Sequence, residues 1–175
     1  MSETFTGEIR TAKIEDAPDI LAIYAPYVTD TAVSFEERVP SGEEMAMRIE
    51  KSPLWLVAIE DSRINGYAYA DAFHPRAAYR WSAEVSIYLA DSGRGRGLGK
   101  LLLSQLLDAL RERGFVNAFA GTSLPNPASV ALFESFSFEK IAHQKKVGYK
   151  LGAWHDVGWW QLHLTDPSTP PPQLI

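Results

Sequence analysis

The chain has 175 residues, 46% hydrophobic and 22% charged, which suits one domain with a substantial core and disfavours two. Seventeen Lys and Arg against 22 Asp and Glu leave a net charge of -5, a poor match to nucleic acid. The absence of cysteine excludes disulfides, thiolate catalysis and Cys-ligated metal, and a longest strongly apolar run of six residues, Leu54 to Ile59, falls short of the about 20 a membrane span needs.

Met1 opens a polar segment with no basic-then-apolar export pattern, so a cytoplasmic chain is expected. Glu8 to Ala12 reads as a short strand. A helix from about Glu15 to Val28 follows, with Ile20, Leu21, Ile23, Tyr24, Tyr27 and Val28 on one broad face and Pro18 tolerated in its first turn. Ser41 and Glu44 have capping-box spacing for a second helix, which Pro53 interrupts. Leu54 to Ile59 and Ile64 to Ala72, joined across Asp61, Ser62 and Arg63, predict an antiparallel strand pair.

Between Trp81 and Leu89, Ala83, Val85, Ile87 and Leu89 alternate with Glu84 and Ser86, so a strand there turns a carboxylate toward the opposite face. A glycine loop, residues 93 to 99, leads into a helix from Lys100 to Arg113 with an apolar stripe at Leu102, Leu106, Ala109 and Leu110, and Gly114 is its breaker. Val116 to Ala120, Phe138 to Lys146 and Val157 to Leu164 read as strands and Pro127 to Phe136 as a helix, giving a mixed α/β order within one domain, residues 1–164. Thr165 to Ile175, with four prolines in 11 residues, reads as an extended or mobile tail.

The glycine loop carries the clearest chemistry. Glycines let backbone N–H groups approach an anion, the helix start adds unpaired donors, and Arg94 and Arg96 add charge, so a phosphate or pyrophosphate site fits. The Lys-Ser/Thr ending of a nucleotide P-loop is missing, and Asn117 stands where a dinucleotide fold has its acidic residue. An ordinary structural turn is the competing reading.

Arg94, Gly97 and Gly99, together with the downstream Asn126, Ala128, Leu132, Phe133 and Glu134, resemble the two cofactor blocks of the GNAT superfamily of acyl-CoA-dependent N-acetyltransferases. Tyr24-Ala25-Pro26, Thr31 with Ser34-Phe35-Glu36, Ala78-Tyr79-Arg80, the run from Ala83 to Tyr88, and the run from Gly152 to Gln161 narrow the resemblance to phosphinothricin and methionine sulfoximine N-acetyltransferases over roughly residues 8 to 164. The resemblance implies a GNAT-type, mostly antiparallel sheet flanked by helices, and acetyl-CoA as donor. It further implies a small amine substrate acetylated by direct attack, and a homodimer. Alternatives are a protein or peptide acceptor and a nonenzymatic acyl-CoA-binding module. Where the family often has His, this chain has Phe133 and Val85, and Ser137-Phe138 replaces the usual Gly-aromatic pair.

By the same resemblance, the backbone at Ile87 and Leu89 holds the pantetheine arm, Asn126 donates to its amide, and Tyr88 and Ser129 are cofactor-binding. Arg94, Gly95, Arg96, Gly97, Leu98 and Gly99 hold the pyrophosphate. Glu84 is the candidate base, directly or through water, against a plain strand-surface carboxylate. Tyr88 is a packing residue or a proton donor to the departing thiolate; Asn126 is a cofactor ligand, a helix cap, or both. Phe35 and Glu36 are expected in the acceptor pocket, and Arg76, Tyr79 and Arg80 against the acceptor's anionic group. Phe133 cannot exchange a proton, so a family mechanism that uses His there is excluded. His74, His143, His155 and His163 form no metal-binding pattern; His155, Trp154, Trp159 and Trp160 read first as structural, with one tryptophan able to line a pocket or a dimer surface.

Overall fold

A computed structural model describes residues 4–166 and 171–175. Seven strands form one sheet in the order β1-β2-β3-β4-β5-β7-β6. They are β1 (Glu8–Thr11), β2 (Leu54–Glu60), β3 (Arg63–Ala72), β4 (Ser82–Leu89), β5 (Asn117–Leu124), β6 (Glu139–Lys150) and β7 (Ala153–His163). Every neighbouring pair is antiparallel except β4 and β5. Helices α1 (Ala17–Thr29) and α2 (Gly42–Lys51) cover one face; α3 (Leu98–Glu112) covers the other, where α4 (Pro127–Ser135) adds Phe133 to the core.

The continuous apolar run of β2 follows from this double covering. Leu54, Leu56 and Ala58 enter the α3 core, while Trp55 and Val57 enter the core under α1 and α2. Six α3 leucines, Leu98, Leu102, Leu103, Leu106, Leu107 and Leu110, are essentially fully buried. Each contributes about 1.5–3 kcal/mol of gross burial, so this stripe anchors the helix that carries the glycine loop. Ser41 and Glu44 form the reciprocal cap of α2, at 3.1 and 2.6 Å.

The late hairpin is longer than the sequence pattern predicts. β6 runs on to Lys150 and β7 begins at Ala153. The alternation is lost because the register shifts between Gln144 and Gly148, with Lys146 at φ 49°. Asp156 ties this bulge, accepting from the Lys146 N–H at 2.8 Å and pairing with His143 at 2.7 Å. Leu151 and Gly152 both have positive φ at the turn. Residues 167–170 of the proline-rich tail lie outside the described residues. Beyond them, the Trp81 indole donates to the Pro172 carbonyl at 2.7 Å, Ile175 N–H donates to the Arg113 carbonyl at 3.1 Å, and Leu174 packs on the core. This end of the tail is thus docked without a regular element.

Candidate active site

The parallel pair β4 and β5 is joined only over Ser82–Glu84 against Asn117–Phe119, although the strands run on to Leu89 and Leu124. Past Glu84 they part, and backbone groups that would have paired face a cleft instead. Two cavities meet there and share Val33. One, of about 450 Å³, is lined by Tyr27, Ile87, Leu89, Arg94, Asn126, Ser129, Leu132 and Phe133, among others. The other, of about 520 Å³, is lined by Tyr24, Phe35, Glu36, Tyr69, Glu84, Ser86, Tyr88, Gln144 and Trp159, among others.

Strand alternation explains the division. Ile87 and Leu89 face the first cavity; Glu84, Ser86 and Tyr88 face the second. Tyr88, expected among the cofactor residues, turns its side chain to the second cavity. Its ring meets Tyr24 and Tyr27 edge-on, each at 5.0 Å, and stacks on Tyr67 at 5.4 Å. Burial raises the Tyr88 hydroxyl pKa well above the ordinary tyrosine value, so it stays protonated at neutral pH.

The glycine loop adopts the backbone its composition predicts. Gly95 and Gly97 have φ of 72° and 77°, which Cβ-bearing residues disfavour, and Gly97 caps α3. Leu98 is the first helical residue and its side chain is buried in the core, so it offers an anion only its backbone N–H. Arg94 reaches the first cavity, but the Arg96 guanidinium points elsewhere. It clamps Glu60 at 2.5 and 3.0 Å, and these bonds, with one from the Thr6 N–H, hold the Glu60 carboxyl down to about 2. Arg96 therefore gives the loop its backbone while its charge is matched by a carboxylate on β2. Asn126 caps α4, accepting from the Ser129 N–H at 3.2 Å, while its amide donates to Thr122 Oγ1 at 3.3 Å. Phe133 is buried beside Phe138, with ring centroids 5.3 Å apart, and gives the cleft an apolar wall.

Glu84 lines the second cavity and accepts no hydrogen bond within the described residues. Burial, with a smaller contribution from the Asp71 charge, raises its carboxyl pKa above the ordinary range. Glu36 is in the same cavity but is already engaged. Arg48 binds it through two hydrogen bonds, at 2.6 and 3.0 Å, and Tyr24 donates to it at 2.9 Å. Chiefly through Arg48, its pKa is lowered. Phe35 packs against Gly148, where a Cβ would lie 2.2 Å from the ring. Lys150, buried on the neighbouring hairpin, donates to the Ser34 carbonyl at 2.6 Å and pins the same loop.

Arg76, Tyr79 and Arg80 line neither cavity. They lie on the β3–β4 loop, which leaves the sheet beyond the Asp71–Glu84 pair, and Arg80 stacks on Trp81 at 4.3 Å. The loop reaches the cavity wall indirectly: Tyr79 packs on Phe73 at 6.1 Å, and Phe73 on Trp159 at 6.2 Å. His155 remains outside the cavity, bonded to the Lys150 carbonyl at 3.0 Å, and Trp160 is buried in the core. Sequence reasoning did not single out Tyr69, Thr122 and Gln144 for the cavity. Of the three, Tyr69 alone carried a signal, a hydroxyl among the small apolar residues Ala68 and Ala70 of β3.

The model of the acetyltransferase (GNAT) domain matches residues 9–159. A phosphinothricin N-acetyltransferase of Streptomyces viridochromogenes is 33% identical over 94% of this chain and 92% of its own length. An L-methionine sulfoximine/L-methionine sulfone acetyltransferase of Salmonella typhimurium is 32% identical over 93% of this chain and 97% of its own. The crystal structure of a GNAT superfamily phosphinothricin acetyltransferase from Sinorhizobium meliloti, in complex with AcCoA, superposes with a TM-score of 0.91 at 35% identity, covering 96% of this chain and 94% of that one. By fold and by sequence over nearly its whole length, the chain belongs to the GNAT acetyltransferase family.

Proposed function

We propose that this chain transfers an acetyl group from acetyl-CoA to the primary amine of a small amino-acid-like acceptor, such as phosphinothricin or methionine sulfoximine, by direct attack. The observation that carries this reading is the parting of β4 and β5, which joins a cleft beside an anion-suited helix start to a cavity holding Glu84, a carboxylate with no hydrogen bond among the described residues. The donor cleft fits a phosphate-bearing arm: Arg94 and Asn126, the cap of α4, line it, with Ile87, Leu89 and Phe133 as apolar walls, and α3 begins four residues after Arg94.

The acetyl thioester supplies the carbonyl carbon to which the amine nitrogen bonds as the C–S bond breaks. Glu84 takes the proton the ammonium sheds, directly or through water; its raised pKa brings it closer to the working pH of a base. Tyr88, held protonated, is the side-chain donor for the departing sulfur. Glu36, fixed by Arg48, holds the α1–α2 loop that sets Phe35 against the acceptor stem. Arg76 and Arg80 lie outside both cavities, on a β3–β4 loop that abuts the acceptor cavity through Phe73 and Trp159, and a shift of that loop would bring them to the acceptor's carboxylate. With no cysteine there is no thiolate relay, which supports direct transfer. A homodimer through the β6–β7 hairpin completes the reading, because Ile141, Val147, Tyr149, Leu151 and Trp154 are each at least half exposed there.

The deciding experiment incubates purified protein with acetyl-CoA and a mixed amine library containing both proposed acceptors and a peptide set, then identifies acetylated products by mass. Acetylated amino-acid analogues are expected. Acetylated peptides alone would replace the small-acceptor reading, and intact CoA binding without any product would overturn transfer.

A further inference from the structure

Tyr27 sits in the last turns of α1 with its hydroxyl between two groups of the donor cleft. It donates to the Leu89 carbonyl at 2.7 Å and accepts from Arg94 Nη2 at 2.9 Å. One phenol O–H and one lone pair are thereby both used. The Arg94 guanidinium carbon also lies 5.5 Å from the Tyr27 ring centroid, and its other nitrogen pairs with Asp91 at 3.0 Å.

We infer that Tyr27 is a positioning residue for the donor: it presets the Arg94 guanidinium for a diphosphate and caps the end of β4 where β5 has left it. This rests on the acetyl-CoA reading above. An exposed arginine spans many rotamers, and binding an anion must freeze them. Holding the guanidinium at two points beforehand lowers that ordering cost, so the tyrosine acts on donor affinity without touching the reacting atoms. The Leu89 carbonyl lies where β4 can no longer pair with β5, and the phenol supplies a donor there. Tyr24, one helical turn earlier, serves the acceptor cavity instead, so α1 addresses the two substrates with different tyrosines.

A purely structural role predicts something different, since the Tyr27 ring also packs edge-on against Tyr88. Tyr27→Phe keeps the ring and removes only the hydroxyl. Steady-state kinetics with acetyl-CoA and with S-acetylpantetheine, which has the same thioester arm without the diphosphate, separate the two roles. For Tyr27→Phe the KM for acetyl-CoA is expected to rise about five- to tenfold, the net size of one hydrogen bond, with the acceptor KM unmoved. With S-acetylpantetheine the rise should stay under about twofold. Arg94→Ala should raise the acetyl-CoA KM further, and the double variant should be no worse than Arg94→Ala alone. Equal losses with both donors, additive losses with Arg94→Ala, or a changed acceptor KM would each overturn the inference. Calorimetric titration with CoA and with pantetheine reads the same contrast without turnover, so a chain that binds but does not transfer still tests Tyr27. Failure of the wild-type chain to bind CoA would overturn both readings.

Discussion

Glu84 on β4 lies directly opposite Asp71 on β3 in the antiparallel register, with Glu84 turned into the acceptor cavity. Burial is the larger cause of its raised pKa and the facing Asp71 charge the second. If Glu84 is the base, kcat/KM must fall as pH drops through its pKa, so the acid limb lies above the ordinary carboxylate value. Asp71→Asn removes the opposing charge, which favours ionised Glu84 and moves that limb to lower pH. A pH–rate profile of both proteins checks this, and an unmoved limb in the variant would detach Asp71 from the base.

Glu84→Gln should lower kcat by about 10²–10⁴, the range for loss of a general base, with donor binding intact. Stability should move the other way. A carboxyl whose folded pKa is raised binds more protons folded than unfolded, so between the unfolded and folded pKa values stability falls as pH rises. The neutral amide removes that unfavourable ionisation. Thermal melts at pH 7 should therefore give Glu84→Gln a Tm at or above that of the parent, and the difference should vanish at low pH. A destabilised, fully active variant would assign Glu84 a structural role.

What the sequence made legible was whatever repeats locally. The α3 leucines recur at helical spacing, Gly95 and Gly97 announce their own backbone, and the β4 alternation separates Glu84 from Ile87 within a few residues. Pairings that cross the fold were illegible. Arg96 looks like a loop cation until β2 brings Glu60, 36 residues away, into contact; Glu36 looks free until Arg48 reaches it from α2. The acceptor cavity is assembled from seven separate stretches of chain, and Gln144 and Val147 join it from the β6 bulge region, where no periodic pattern survives.

The residues lining the acceptor cavity include Glu36 and Glu84 and no Lys, Arg or His. Arg48 is matched by Glu36, so a second anion on the acceptor side chain would enter beside Glu84 without a cationic partner. An unpaired, partly desolvated charge costs at least about 1–2 kcal/mol, or roughly tenfold in rate. L-Methionine sulfone, whose side-chain end is polar but neutral, should therefore show kcat/KM about tenfold or more above phosphinothricin, measured at one pH. Gln144→Lys should narrow the ratio by giving the phosphinate a partner. A preference for phosphinothricin in the parent would mean a cation reaches the cavity from the β3–β4 loop or a second copy.

The hairpin supplies the remaining prediction. β6 is an edge strand, and Tyr149 packs on Trp154 across the hairpin at 5.3 Å with both rings more than half exposed. The lysines of β6 oppose strand pairing at the edge, whereas the exposed rings invite face pairing, and a second copy offers the same surface in return. Sedimentation velocity at tens of micromolar should find twice the chain mass. Trp154→Glu places a charge at the centre of that surface and should weaken association by more than about tenfold. Gln144 and Val147 of the same hairpin line the acceptor cavity, whereas the donor cleft draws no residue from it. Dissociation should accordingly raise the acceptor KM and leave the acetyl-CoA KM in place. A parent chain that sediments as a monomer would remove the hairpin from the site's architecture, and a monomeric variant with unchanged acceptor KM would separate assembly from catalysis.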